Sequence, residues 1–270
     1  MATPIGNLGD MAPRALAVLA AADSVLCEDT RHSGRLLAHF GIKAKLLPYH
    51  EHNAARVRPG LLEQLARGAT LALISDAGMP AIADPGMKLV KEAALAGIHV
   101  SAVPGPSAGI MALAISGLPT DRYFFQGFLP AKASARQKVL AEIAPIPATL
   151  VLFESPHRLA ACLADAAAIL GPRPAAIGRE LTKLHEEMRR GSLDALAAAL
   201  AGEAPKGEVV LVIGPPGDRQ DLLDADAVDA LLREALAAHG ASRAAALVAE
   251  QTGRPRAELY RRLLALKGER

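Results

Sequence analysis

Ser75-Asp76-Ala77-Gly78-Met79-Pro80-Ala81-Ile82-Ala83-Asp84-Pro85-Gly86 follows the apolar run Thr70-Leu71-Ala72-Leu73-Ile74 and leads into a helical pattern from Lys88. A leucine-rich run that ends in Ser-Asp, Gly and Pro reads as a buried strand opening into a shaped loop. In an open α/β sheet, ligands sit at the carboxyl ends of the strands. Glycines there admit a ligand close to the backbone, and prolines hold the loop in shape beforehand. This loop is the first candidate for a binding site.

Outward from it, short apolar runs alternate with helical patterns. Strands are predicted at Ser24–Glu28, Ala44–Leu47, Thr70–Ser75 and His99–Val103. Helices are predicted near Arg14–Ala22, Ser33–Phe40, Ala55–Ala66 and Met87–Ala96. That alternation is the mark of a mostly parallel sheet covered by helices. A second loop of the same kind, Pro104-Gly105-Pro106-Ser107-Ala108, lies between the last of these strands and a further helix. Thr3-Pro4-Ile5-Gly6-Asn7 looks like the exit of a first strand, yet almost no strand precedes it.

Turn residues cluster at Gly117-Leu118-Pro119-Thr120-Asp121 and suggest a boundary. Beyond it, strands are predicted at Tyr123–Phe128, Thr149–Phe153, Ala175–Gly178, Glu187–Arg190 and Glu208–Ile213. Helices at Ala133–Ile143, Leu159–Leu170 and Leu193–Leu200 are interleaved with them, so a second α/β domain with a mixed sheet is expected. Pro215–Gln220 reads as a linker, and Ala244–Gln251 with Arg256–Leu266 as a helix-turn-helix. The expected organisation is residues 1–118, 119–216 and a helical tail over 217–270.

Composition narrows the class. With 270 residues, 51% hydrophobic and 21% charged, the chain is globular and helix-rich. No apolar stretch reaches the ~18 residues of a membrane span, and Met1-Ala2-Thr3-Pro4 lacks a secretory pattern. Cys27 and Cys162 lie in apolar surroundings, which suits reduced thiols and a cytoplasmic protein. The His50/His52 pair is a weak metal signal, and no phosphate-loop or dinucleotide-turn motif occurs. Residues 217–240 are acidic, whereas 241–270 hold seven basic residues against Glu250, Glu258 and Glu269. That asymmetry points to an anionic partner or to a solvated helical tail.

Three polar clusters sit at strand ends. In Glu28-Asp29-Thr30-Arg31-His32, Thr30 is the expected helix cap, leaving the first amides and Arg31 to face an anion. Glu154-Ser155-Pro156-His157-Arg158 repeats the plan, with Ser155 as cap and Pro156 in the first helical position. Arg179-Glu180-Leu181-Thr182-Lys183-Leu184-His185-Glu186-Glu187 closes a third strand. One such cluster would be ordinary capping with a surface ion pair. Three, all carrying Arg or Lys, favour a polyanionic substrate.

These clusters, together with Ala2-Thr3-Pro4-Ile5-Gly6-Asn7-Leu8-Gly9-Asp10, the Ser75–Gly86 loop and Pro104–Ala108, resemble the ribosomal RNA small subunit methyltransferase I family in order and spacing over essentially the whole chain. The resemblance implies the tetrapyrrole-methylase (class III methyltransferase) fold, two α/β domains holding S-adenosylmethionine in the cleft between them. It further implies a homodimer and 2'-O-methylation of a cytidine in the decoding region of 16S ribosomal RNA, as naked RNA or in the 30S subunit. The sequence departs from the family pattern twice. It carries Ala83 where the family commonly has Ser, and it begins almost at the first loop, so that the start lies upstream or a sheet edge is frayed.

On this reading Asp76, Gly78, Met79, Ile82, Ser107 and Ala108 are the cofactor candidates, and the resemblance adds Phe153 and Glu154. Asp29 and Glu154 are the carboxylates to consider as a base toward the ribose hydroxyl, or else caps and partners of Arg31 and Arg158. Arg31, His32, Arg158, Lys183, Arg254 and Arg256 are the RNA-contact candidates, with Arg261 and Arg262 beside them in the tail. Arginine outnumbers lysine 21 to 9, which suits phosphate contacts, and 3% aromatics with no Trp argues against broad base-stacking platforms. Two rival readings keep part of the pattern: tetrapyrrole C-methylation on the same fold, and a non-catalytic nucleic-acid binder using the C-terminal helices.

Overall fold

The structure is a computed structural model that describes residues 1–202, 205–217, 225–252 and 255–268. Its contacts divide the chain into two units, Met1–Gly214 and Pro215–Arg270.

The first unit opens with α1 (Pro13–Ala21), β1 (Ser24–Cys27), α2 (Thr30–His39), β2 (Leu46–Pro48), α3 (Glu51–Ala66), β3 (Leu71–Leu73), α4 (Met87–Leu95) and α5 (Ala108–Ser116). The three strands form a parallel sheet in the order β2-β1-β3. β1 is buried at all four positions because both faces of the sheet are covered. Val25 and Cys27 pack with Ala15, Leu19 and Leu37 from α1 and α2, and Leu26 packs on the opposite side with Leu61 and Leu89 from α3 and α4.

The chain continues through β4 (Tyr123–Phe128), α6 (Ala133–Ile143), β5 (Thr149–Glu154), α7 (Leu159–Leu170), β6 (Pro174–Arg179), β7 (Glu187–Ser192), α8 (Leu193–Ala199) and β8 (Val209–Ile213). This second sheet runs β4-β5-β8-β6-β7 and is mixed, with β4 and β5 parallel and the other pairs antiparallel. Period-two alternation splits β8 between two cores. Val209, Leu211 and Ile213 face α6, α7 and α8, while Val210 and Val212 face Ala112 and Leu113 of α5. Thus α5 follows the first sheet in sequence but packs on the second.

The second unit is a three-helix cluster of α9 (Ala225–Ala238), α10 (Ala241–Thr252) and α11 (Arg256–Gly268). Val228, Leu232, Ala244, Ala245, Val248, Leu259 and Leu263 form its buried centre. An Arg262–Asp229 ion pair ties the first helix to the third.

Four expectations change. Residues 99–103 form no strand: the first three residues of the chain bond to three separate segments instead of running beside Val103 as a ladder. β2 starts later than the apolar run suggests, and β3 keeps only the centre of its run. The cap of α2 is Asp29, whose carboxylate accepts from the Arg31 and His32 amides, so Thr30 is the first helical residue. A carboxylate one residue earlier serves both free amides at once. Finally, among the described residues the tail forms a further helix beside the expected two, α9, which arises from the acidic stretch.

One ion pair lends itself to a stability test. Arg136 Nε donates to Asp165 Oδ2 at 2.7 Å, joining α6 to α7, and the side chains are only 6% and 16% exposed. Asp165→Ala would strand the guanidinium in the core, which costs about 3–5 kcal/mol. A urea unfolding midpoint should fall accordingly at pH 7, whereas the double change Arg136→Met with Asp165→Leu should recover most of it.

Candidate active site

The loop after β3 is fixed by its own backbone. Thr3 N donates to Gly78 O at 3.0 Å and Gly78 N returns a bond to Thr3 O at 3.0 Å. Thr3 Oγ1 donates to Ser75 O at 3.0 Å, and Ser75 Oγ donates to Gly78 O at 2.8 Å. Gly78 has φ +76°, and a Cβ there would lie 3.3 Å from Ile5 Cγ2 and 3.6 Å from Pro106 O. Only glycine lets the three segments meet this closely. Further along, Ala81 and Ala83 sit at φ +67° and +61°. Such backbone is held against a cost of ~1–3 kcal/mol per residue and clusters at functional sites.

A cavity of about 410 Å³ opens beside this loop. From the first half it takes Ile5, residues 76–79 and 82–84, and Ser107 with Ala108 at the start of α5. From the second sheet it takes Phe128, residues 153–156, Gly178, Leu181 and residues 208–210. Its size falls in the range of small-molecule sites, ~300–1,000 Å³. Asp76, Asp84, Glu154 and Glu208 line it, and among the described residues no lysine or arginine does. The wall is therefore anionic. Burial, reinforced by the nearby charges of Glu28 and Asp76, pushes the Asp84 carboxyl up to about 6.

Glu154 is the most enclosed of these acids, its side chain 1% exposed. Oε1 accepts from Arg158 at 2.6 Å and from the Ser155 amide at 2.7 Å, whereas Oε2 is buried with no hydrogen-bond partner. Behind it lies Cys162, whose thiol is pushed up to about 12 by burial and by the Glu154 charge.

The sequence candidates thus fall into two groups. Asp76, Gly78, Met79, Ile82, Ser107, Ala108, Phe153 and Glu154 all line the one cavity. Asp29 does not; it caps α2 and pairs with Arg31, and its carboxyl is lowered first by the Arg31 amide and then by the Arg31 side chain. Arg31 is 87% exposed and His32 is exposed too, so both are open to solvent at the head of α2. Arg158 is engaged by Glu154. Lys183 bonds Glu180 at 2.8 Å and Glu208 at 3.2 Å; partial burial pulls its ammonium down, but those acids outweigh it and hold it above the usual lysine value. Arg256 is exposed and donates to Ser242 Oγ at 2.7 Å, and Arg254 lies outside the described residues. Ser155 and Pro156 begin a short 3-10 turn as expected, although the Ser155 side chain makes no capping bond.

Sequence reading passes over Asp84, Phe128 and Glu208, which also line the cavity. Asp84 stands inside the quoted loop as an acid among apolar residues, and Glu208 immediately precedes β8, the strand that the apolar run reveals. Phe128 gives no signal, because its position depends on a break in strand alternation.

The profile of the Tetrapyrrole (Corrin/Porphyrin) Methylases matches residues 2–197, and that of the RsmI C-terminal HTH domain matches residues 221–267. A protein of Mesorhizobium japonicum named ribosomal RNA small subunit methyltransferase I is 51% identical over 99% of this chain and 91% of its own. The chain belongs to the ribosomal RNA small subunit methyltransferase I family of tetrapyrrole methylases. A Synechocystis member of the same name is 44% identical over 100% of this chain and 98% of its own. Among solved structures, uroporphyrin-III-C-methyltransferase from Thermus thermophilus is similar with TM-score 0.54 and 26% identity, over 78% of this chain and 91% of that one. Diphthine synthase, at 16% identity and TM-score 0.60 over 78% of this chain and 87% of that one, shares the fold. The cavity of this methylase accordingly lies between strand-end loops of its two sheets.

The raised Asp84 carboxyl makes a pH-dependent prediction. Its value of about 6 exceeds the ordinary 3.8, so the folded state binds the proton more tightly than the unfolded chain does. Stability therefore falls as pH rises between those values, and the full penalty applies above about 6. Asp84→Asn should raise the unfolding free energy at pH 7.5 by about 1 kcal/mol after allowance for solvent screening. The gain should vanish near pH 4.

Proposed function

We propose that this methyltransferase uses S-adenosylmethionine to methylate the 2'-hydroxyl of a cytidine in the decoding region of 16S ribosomal RNA. The observation that carries the reading is the convergence of the family's motif loops, from both sheets, on one anionic cavity. The near-full-length relatives, named as ribosomal RNA small subunit methyltransferases, support the ribosomal RNA substrate.

The residues fit the methyl donor. A cavity of about 410 Å³ with four acids and, among the described residues, no lysine or arginine in its wall suits a cationic ligand of nucleoside size. The first amides of α5 at Ser107–Ala108 offer polar groups, and Ile82, Phe153 and Val210 offer apolar area. Bound there, S-adenosylmethionine would supply a methyl group on a sulfonium, ready for in-line attack. What the chain itself must do is hold the acceptor hydroxyl at ~3–3.5 Å and exclude water, which is worth ~7–11 kcal/mol in such reactions. Of the two candidate bases, Glu154 lies in the cavity wall, whereas Asp29 is committed to its helix. Glu154 is the carboxylate proposed to act on the acceptor hydroxyl.

The RNA would be gathered by Arg31 and His32 at the head of α2, by Arg158 and Lys183 beside their acids, and by Arg254 and Arg256 near the end of the sequence. That unit matches the C-terminal profile of the RNA-methylating family, which favours RNA over a small tetrapyrrole acceptor. A homodimer and a cytoplasmic location complete the reading. Exposed Leu95 and Val100 offer apolar surface for a second copy, and among the described residues no helix is long and apolar enough to cross a membrane.

Three outcomes test it. With methyl-labelled donor and 30S subunits from cells lacking the activity, nuclease mapping should find label on a cytidine 2'-oxygen of 16S RNA; label on a base or none at all contradicts the proposal. Donor affinity should weaken as pH falls below about 6, where Asp84 takes up a proton, while the product S-adenosylhomocysteine, which lacks the sulfonium charge, should respond less. Replacing Arg256 and Arg261 by Ala should lower the slope of log affinity for 30S against log salt by ~0.7–0.9 for each phosphate that either arginine neutralises in the wild type. An unchanged slope would remove the tail from the RNA interface.

A further inference from the structure

β4 breaks its alternation at one point, and the break places a phenylalanine in the cavity. Phe124 pairs with Leu150 and Phe125 with Val151, but the next paired residue is Gly127, opposite Leu152, and Gln126 is left over. Gly127 has φ +72°, a conformation that suits glycine at a bulge. Leu150 and Leu152 belong to the core under α6, α7 and α8, while Val151 and Phe153 face α5 and the cavity. Without the extra residue, strict alternation would put Phe128 on the face of Phe124, beneath those helices. With it, Phe128 stands opposite Phe153 and lines the cavity. Bulges next to active sites commonly re-aim a side chain in this way.

A phenylalanine turned inward for packing would be buried, yet Phe128 is 55% exposed. Its ring lies 5.6 Å from that of Phe153, at 59°, and Phe153 is braced in turn by Phe125 at 5.1 Å and 76°. The edge-on chain of rings holds Phe128 firmly and leaves much of its surface to solvent. Ile82 is the other large apolar residue of the cavity wall that is exposed, at 50%. A donor of nucleoside size is engulfed by its site, whereas a nucleotide of a ribosomal particle must enter from solvent over the exposed part of the wall. An aromatic face is what an unstacked base needs.

We propose that Phe128 is the stacking residue for the base of the methyl-accepting nucleotide, positioned by the bulge at Gln126-Gly127. This rests on the RNA-methylation reading above and assigns an acceptor subsite within it. One aromatic at one cavity mouth compensates for a chain otherwise too poor in aromatics for a stacking platform.

The test compares wild type with Phe128→Leu, Phe128→Ala and Phe128→Tyr. Steady-state methylation of 30S subunits from cells lacking the activity is measured beside calorimetric binding of S-adenosylhomocysteine. Loss of the ring should lower kcat/KM for 30S by about 10- to 100-fold with the product's Kd within about twofold of wild type, and Tyr should restore the rate. A Kd that weakens in step with the rate would place Phe128 in the donor subsite and overturn the proposal. An unchanged kcat/KM in Phe128→Leu would overturn it too. If wild type itself transfers no label to 30S, the RNA-methylation reading fails first, and the assignment falls with it.

Discussion

The reciprocal backbone pair between Thr3 and Gly78 is the constraint on which the site depends. It locks the first residues of the chain to the loop after β3, and the Thr3 and Ser75 hydroxyls tie the same few atoms again. A side chain at Gly78 would meet Ile5 and the Pro106 carbonyl, so segments distant in sequence crowd one junction. From that anchor the loop runs through Ala81 and Ala83 in left-handed conformations. A free loop would relax that strain; a loop pinned at its base keeps it. The cavity wall is thereby shaped before any ligand arrives.

The charges divide by place. Acids line the cavity, and the cations of two strand-end clusters are each held beside an acid: Arg158 with Glu154, Lys183 with Glu180 and Glu208, Arg179 with Glu187. Such pairs add little stability where they are exposed. Their consequence is electrostatic: an anionic pocket behind a rim of partly neutralised cations can hold a cationic donor while a polyanion approaches from outside.

Much of this is legible from residues alone. The Ser75–Gly86 loop announces itself by glycine, proline and a preceding apolar run, and it forms a wall of the cavity. Strands such as Val209–Ile213 are readable because burial on both faces leaves an uninterrupted apolar run. The cap of α2 is one residue away from the expected Thr30 because Asp and Thr are both good caps and only geometry chooses between them. The segment 99–103 resembles a strand by composition, but a strand exists only where a partner offers a ladder, and that is a long-range property. Phe128 is invisible in the sequence for a related reason: alternation predicts the wrong face unless the unpaired Gln126 is known. Identity with relatives, not periodicity, establishes the family.

The central claim is that loops from both sheets hold one methyl donor. Amide hydrogen exchange with and without S-adenosylmethionine tests it most directly. Binding at one shared site should add protection in residues 76–84 and 107–109 of the first half and, together with them, in residues 153–156 and 208–210 of the second sheet. Protection confined to one of these sets, or centred on the C-terminal helices, would contradict it.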